Sequence, residues 1–244
     1  MEDNIIREDV DEIISFLSQK KIPRLTNGPK VVEFEKTWSR WLGTDKSVFV
    51  NSGHSANQLT MLSIKHLYGA GEVILSPLNW ISDVSSVIQN GFTPVFVDIN
   101  YHNLALNEEL LVDKINDKTK AILLTHILGL NGLTDNIINI CKEKNILLIE
   151  DVCESHGATH NGQLLGTFGD VSNFSFFFAH HMTTIEGGMV STNNEELYEH
   201  CKMFRSHGML RECTNKSIID KYHSKYPTVN KDFFFVNPAY NVRS

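Results

Sequence analysis

Basic residues are in short supply. Lysine and arginine number 22 against 29 aspartates and glutamates, a formal charge of −7 with histidine neutral. That balance offers no footing for a nucleic-acid surface. Cysteine is scarce as well, with four in 244 residues, at Cys141, Cys153, Cys201 and Cys213. No two of them form a C-x-x-C pair, so neither a zinc ribbon nor a disulfide scaffold is indicated. Each reads as a buried or incidental thiol of a reducing cytoplasm. No apolar run approaches the roughly 20 residues of a membrane span. The opening MEDNIIREDVDEI is acidic and amphipathic, unlike a signal peptide. G-x-G-x-x-G and G-x-x-x-x-G-K-[ST] are both missing, which sets aside a classical dinucleotide site and a P-loop. There is no internal repeat and no low-complexity linker. What remains is an ordinary globular composition, 41% hydrophobic and 21% charged, long enough for one large domain or two small ones.

Helix-like and strand-like segments alternate along it. Ile6, Val10, Ile13, Ile14 and Leu17 stand at helical spacing over 5–18, and Pro23 and the Asn27-Gly28-Pro29 turn interrupt them. A second helix over 30–42 carries Val32, Phe34, Trp38 and Trp41. The strand SVFV (47–50) leads through Asn51-Ser52-Gly53 into a helix ending near Leu67, and EVILSP (72–77) leads into a helix over 81–90. PVFVDI (94–99), AILLTH (121–126) and ILLIED (146–151) read as buried strands because they are nearly continuous apolar runs. Helical patterns near 107–116 and 134–144 separate them, and VSNFSFFF (171–178) and GMVSTN (188–193) close the series. This order predicts an α/β fold, a mostly parallel sheet with helices on both faces. Ligands of such sheets bind beyond the carboxyl ends of the strands.

Four strand ends carry chemistry. Asn51-Ser52-Gly53-His54-Ser55 opens a helix whose free N–H groups suit an anion, although Ser52 or Ser55 also suits a plain helix cap. Trp80, after EVILSP, offers a face to a planar ligand or to the core. Asp151 ends ILLIED beside Glu150, where a buried carboxylate calls for a partner: a protonated ring nitrogen, an ion pair or a helix N-terminus. Ser175 ends the next strand, followed by His180-His181 and then Glu186-Gly187-Gly188. A neutral imidazole is a natural general base. His126, His156 and His160 lie nearby in sequence, but no carboxylate or thiolate spacing supports a metal, and none is expected.

Together these segments resemble the sugar aminotransferase family of fold type I pyridoxal-phosphate (PLP) proteins. The likeness spans essentially the whole chain: G-P-x-V-x-x-F-E (28–35), N-S-G-x-S-A-N (51–57), F-T-P-V-F-V-D-I (92–99), I-E-D-x-x-E-x-x-G-A (149–158), G-T-F-G-D (166–170), the F-S-F…E-G-G segment and the terminal Y-N-V-R. It implies a three-layer αβα large domain over 31–244, with a mostly parallel mixed sheet, behind an N-terminal helical segment over 1–30. It also implies a small C-terminal domain after Y-N-x-R, so this chain is expected to be a large domain cut short at its C-terminus.

The family's aminotransferases carry a lysine six residues before the E-G-G glutamate, and that lysine holds PLP covalently. Here that position is His180. The exchange resembles the subgroup of sugar-nucleotide 3-dehydratases, which use pyridoxamine phosphate (PMP), and the H-H-M-x-T-I-E-G-G string points toward GDP-4-keto-6-deoxymannose as substrate. Glu154, where the aminotransferases usually have glutamine, agrees. Because imidazole forms no stable covalent link to PLP, the cofactor is held without one. Its amine then condenses with a 4-keto sugar, the C3 hydroxyl leaves, and L-glutamate restores PMP. The resemblance assigns His180 as catalytic base, Asp151 to the ring nitrogen, Trp80 to stacking, Gly53 and Ser175 to the phosphate, Glu154 to the ring hydroxyl and Asn241 to the phosphate of a neighbouring subunit, hence a homodimer. His207 and Arg243 are assigned to substrate, and His181 to support. The residue after Gly53 is usually a serine or threonine that binds phosphate; here His54 stands there, and its imidazole or Ser55 takes that contact. A related group carries an iron–sulfur cluster on four cysteines. Cys153 and Cys213 match two positions, but Arg211 stands at a third, so no cluster is expected. An aminotransferase, an inactive relative and a cofactor-binding sensor remain the competing readings.

Overall fold

The computed structural model describes residues 5–21 and 23–244. Residues 1–4 and 22 of the expected N-terminal segment lie outside the described residues. In chain order the elements are α1 (Arg7–Leu17), α2 (Pro29–Leu42), β1 (Lys46–Val50), α3 (Gly53–Tyr68), β2 (Glu72–Leu75), α4 (Ile81–Gln89), β3 (Thr93–Phe96), α5 (Glu108–Leu111), β4 (Thr119–Thr125), α6 (Asp135–Lys144), β5 (Leu147–Asp151), β6 (Thr159–His160), β7 (Gln163–Leu164), β8 (Val171–Ser175), β9 (Gly188–Thr192), α7 (Glu195–Arg205) and α8 (Lys216–Lys225). Seven strands form one mixed sheet in the order β1-β9-β8-β5-β4-β2-β3, and β6 and β7 form a small hairpin beside it. The β8-β5-β4-β2-β3 run is parallel, while β9 is antiparallel to both of its neighbours.

Two apolar cores follow from the two-residue period of a strand. Val48, Val50, Val73, Leu75, Leu123 and Ile149 face one core, shared with Leu59 and Ile64 of α3 and Phe204 of α7. The intervening Phe49, Ile74, Ile122, Leu124 and Leu148 face the other, shared with Trp38 and Leu42 of α2 and Ile137 and Ile140 of α6. That is the helix–sheet–helix sandwich. Local chemistry sets the helix ends. Pro29 opens α2 and Gly43, in the left-handed region at φ 90°, ends it. Ser52 caps α3 by accepting the Ser55 N–H, and Thr134 caps α6 through Ile137 N–H.

Three expectations need correction. PVFVDI is not a buried strand: β3 is the sheet's outer edge, with Thr93 and Phe96 exposed and Pro94 and Val95 half-buried. VSNFSFFF is a strand only over Val171–Ser175, so Ser175 ends it as read from sequence, while Phe176, Phe177 and Phe178 lie beyond it. The helical pattern near 107–116 shortens to α5 and one 3-10 turn over Val112–Lys114. Among the described residues no helix is long and apolar enough to cross a membrane.

Candidate active site

Because β9 runs against both β8 and β1, the chain direction is restored at β1, and the carboxyl ends of β1, β2, β3, β4, β5 and β8 share one edge of the sheet. A cleft of about 1020 Å³ opens there. Gly53, His54, Trp80, Asp151, Glu154, Ser175 and His180, all singled out from sequence, line it, as does His181.

Its floor is made by α3 and β8. Val50 and Ser175 flank Gly188 in neighbouring ladders, so the loop after β1 lies beside the end of β8. The approach is close enough that a Cβ on Gly53 would fall 2.6 Å from the Ser175 Cβ and 3.0 Å from its hydroxyl. The amides of Gly53 and His54 precede the first capped N–H, that of Ser55, and the two residues line the cleft with Ser175 at the N-terminus of a 16-residue helix. Such a cradle suits a phosphate. Burial lowers the pKa of His54, whose Nε2 is 3.3 Å from Gln58 Nε2. Ser55 stands outside the cleft lining: its hydroxyl donates to Asn51 Oδ1 at 2.6 Å and accepts from Ser52 Oγ at 3.0 Å, both within the helix start.

Asp151 closes the middle of the floor. It is 4% exposed, its Oδ1 accepts the Cys153 N–H at 2.9 Å, and its Oδ2 accepts from Asn57 Nδ2 at 3.3 Å. Trp80, 70% exposed at the N-terminus of α4, forms a wall above. Glu154 Oε2 accepts the Leu128 N–H at 2.9 Å, fixing its carboxylate at the rim. Beneath, Glu150 is held by Gly166, Phe168 and Gly169 N–H groups and by His126 Nε2. His126 Nδ1 accepts from Gly132 N–H, so Nε2 carries the ring proton toward Glu150.

His180 stands in the turn after β8, its N–H donated to Phe177 O at 3.0 Å. Burial lowers its pKa, opposed by the charges of Glu154 and Asp151, so the ring is neutral at pH 7. His156 lies behind, its ring centre 6.3 Å from that of His180 and 5.6 Å from that of His181, on a shelf of Trp38, Phe174 and Phe176. Burial, then the two neighbouring histidines, pull the pKa of His156 down to about 4.

Asn241, Arg243 and His207 lie together elsewhere. Asn241 bridges Ser206, its Oδ1 accepts Arg243 Nε at 3.0 Å, and His207 donates its N–H to Tyr240 O. None of the three lines the cleft. Sequence reasoning passed over Asn57, Asp83 and Thr125, which sit on or under the floor, and considered Cys153, which lines the cleft, only as an incidental thiol or a cluster ligand. A signal for Asp83 exists: it shares a buried helix face with Ser86 and Val87 at 3–4 residue spacing.

The donors match a phosphorylated pyridine cofactor. The Gly53–Ser175 approach leaves room for backbone amides where a side chain would intrude, a buried carboxylate waits at the floor, and an exposed indole stands over it. A model of the DegT/DnrJ/EryC1/StrS aminotransferase family matches residues 4–232. GDP-4-keto-6-deoxy-D-mannose 3-dehydratase of Yersinia pseudotuberculosis is 38% identical over 223 residues, which cover 89% of this chain and 56% of that protein. A GDP-4-keto-6-deoxymannose-3-dehydratase variant solved with bound GDP-perosamine superposes at TM-score 0.84 with 31% identity, covering 98% of this chain and 62% of that one. The same type of enzyme, solved with a trapped PLP-glutamate geminal diamine, gives TM-score 0.83 and 32% identity, covering 96% and 61%. The chain thus spans little more than half the length of the relatives it matches.

Proposed function

This chain belongs to the DegT/DnrJ/EryC1/StrS aminotransferase family, and from that premise we propose that it is a PMP-dependent sugar-nucleotide 3-dehydratase, removing the C3 hydroxyl of a nucleotide-linked 4-keto-6-deoxyhexose, GDP-4-keto-6-deoxymannose above all, with L-glutamate restoring the amine. One observation carries this reading: the cleft is lined by a histidine, His180, and among the described residues by no lysine. Without a lysine the cofactor has no amine to be tethered to, and it is held by contacts alone. PMP bound here supplies an amine for the sugar ketone and a protonated ring that accepts electrons.

The protein's own groups do the rest. Amides of Gly53 and His54 and the Ser175 hydroxyl bind the phosphate, with Ser55 shaping the helix start. Asp151 holds the ring nitrogen's proton, Trp80 covers one ring face, and Glu154 stands beside the ring hydroxyl. His180 takes up a proton on a ring nitrogen and, once protonated, delivers it to the departing C3 oxygen. His207 and Arg243 contact the sugar nucleotide. Asn241 reaches the phosphate of a second copy, and exposed Leu78, Leu128 and Phe177 around the cleft support such a homodimer. The reading also carries a cytoplasmic location, with neither nucleic acid nor membrane as partner.

Incubation with PMP, L-glutamate and GDP-4-keto-6-deoxymannose tests it. Release of ammonia with a 3-deoxy-4-keto sugar is expected. Absence of both with every nucleotide-linked 4-keto sugar overturns it, and a stable 4-amino sugar favours an aminotransferase instead.

A further inference from the structure

We propose that Asp83 is a positioning residue of this site: a neutral carboxylic acid that shares its proton with Asp151 and fixes the direction in which the Asp151 carboxylate faces the cleft. The inference rests on the reading of Asp151 given above. Asp83 lies in the first turn of α4 and is 0% exposed. A carboxyl so placed stays charged only beside a compensating cation. Its hydrogen-bond partners are instead Thr125 Oγ1 at 2.7 Å, Asn57 Nδ2 at 2.7 Å and the carboxyl of Asp151. The groups around the pair are Asn57 from α3, Thr125 from the end of β4, Cys153 beyond β5, and His180 and His156, whose rings sense the Asp151 charge. None of these is a permanent cation. Two carboxyls in mutual hydrogen-bond contact cannot both ionise. The proton stays with the more deeply buried partner, and burial followed by the Asp151 charge keeps the pKa of Asp83 well above the usual carboxylate range.

The Asn57 amide bonds to both acids, so it clamps α3, α4 and the end of β5 around one shared proton. Asp151 Oδ1 is engaged by the Cys153 N–H and Oδ2 by Asn57. Asp83 adds a donor behind them, and the carboxylate can no longer rotate away from the cleft. This is what a group charged with holding a ring proton requires: a fixed plane and a fixed charge of one for the pair.

Carbon-13 NMR of aspartate carboxyls in the cofactor-free protein tests this directly. In the unsubstituted protein one carboxyl carbon of the pair should report a neutral acid at pH 7. Its signal should vanish in Asp83→Asn, and its titration midpoint should fall in Asp151→Asn. Two ionised carboxylates at pH 7 would overturn the proposal. PMP affinity supplies a second readout. Asp83→Asn, a neutral isostere that still donates to Asp151, should stay within about two-fold of the unsubstituted protein, while Asp83→Leu should weaken binding about ten-fold or more. Equal loss in both variants, or none in Asp83→Leu, would also overturn it. Failure of the unsubstituted protein to bind PMP at all would count against the functional reading, and the carboxyl spectrum would still decide the shared proton.

Discussion

His180 and Glu150 show two ways of using a titratable side chain withdrawn from water. His180 is partly screened from water and has charges on both sides of its balance, so it stays neutral and ready to accept a proton. His180→Lys should therefore join PLP covalently, trappable by borohydride and visible as a mass increment, and dehydration should drop by about 10²–10⁴-fold, the usual worth of a positioned acid–base group. Dehydration that survives the exchange would show that another group is the base. Glu150, by contrast, is fully enclosed and structural. Burial pushes its pKa up, and the bonds from His126, Gly166 and Gly169 more than offset this, leaving it below the usual carboxylate range. Glu150→Ala strands three N–H groups and the His126 ring in a dry site. It should cost about 3–5 kcal/mol in urea unfolding at pH 7. A loss under 1 kcal/mol would mean that water replaces the carboxylate.

At the scale of elements, α8 is held to α3 and α7 through one hydroxyl. His200 Nδ1 donates to Glu196 O at 2.7 Å, so its Nε2 accepts the Tyr222 proton, and the Tyr222 oxygen accepts from His66 Nε2 at 2.7 Å. The pKa of His66 is lowered to about 4 by burial, then by His200, Lys225 and Lys221, and that of His200 is lowered mainly by burial. A histidine whose folded pKa lies below its ordinary 6.5 contributes stability that is complete above 6.5 and is lost as pH falls toward about 4. Amide exchange across 216–225, corrected for its intrinsic pH dependence, should accelerate on the order of ten-fold between pH 7 and 5. His66→Phe should flatten that response; unchanged protection in the unsubstituted protein would refute the latch. These late helices also show where sequence reading stops. Buried strands announce themselves by unbroken apolar runs, and β1, β2, β4 and β5 are legible that way. The helix α7 buries Glu199, His200 and Arg205 beside Leu197 and Phe204, and these polar residues mask its apolar face. In α8 only Ile218 is buried. The hairpin strands β6 and β7 have two residues each, too short for any periodicity. PVFVDI has the composition of an interior strand, and only the strand order reveals it as an edge.

For the molecule as a whole, the sheet's direction decides where chemistry can happen. Six strands deliver their carboxyl ends to one edge, and the residues read from sequence as strand-end chemistry converge there. Asp83 was not legible in that way, because it reaches the floor from inside a helix, and Asn57 likewise from α3. His207, Asn241 and Arg243 gather away from the cleft of their own chain, the arrangement a second copy would put to use. All of this turns on whether a cleft with histidine in place of lysine eliminates an oxygen or installs an amine. A single-turnover reaction without glutamate separates the two. PMP-loaded protein is mixed with one equivalent of GDP-4-keto-6-deoxymannose, and ammonia and sugar mass are measured together. One equivalent of ammonia with a 3-deoxy-4-keto sugar is the expected result. A 4-amino sugar that keeps its C3 oxygen, with no ammonia released, would contradict the assignment of His180.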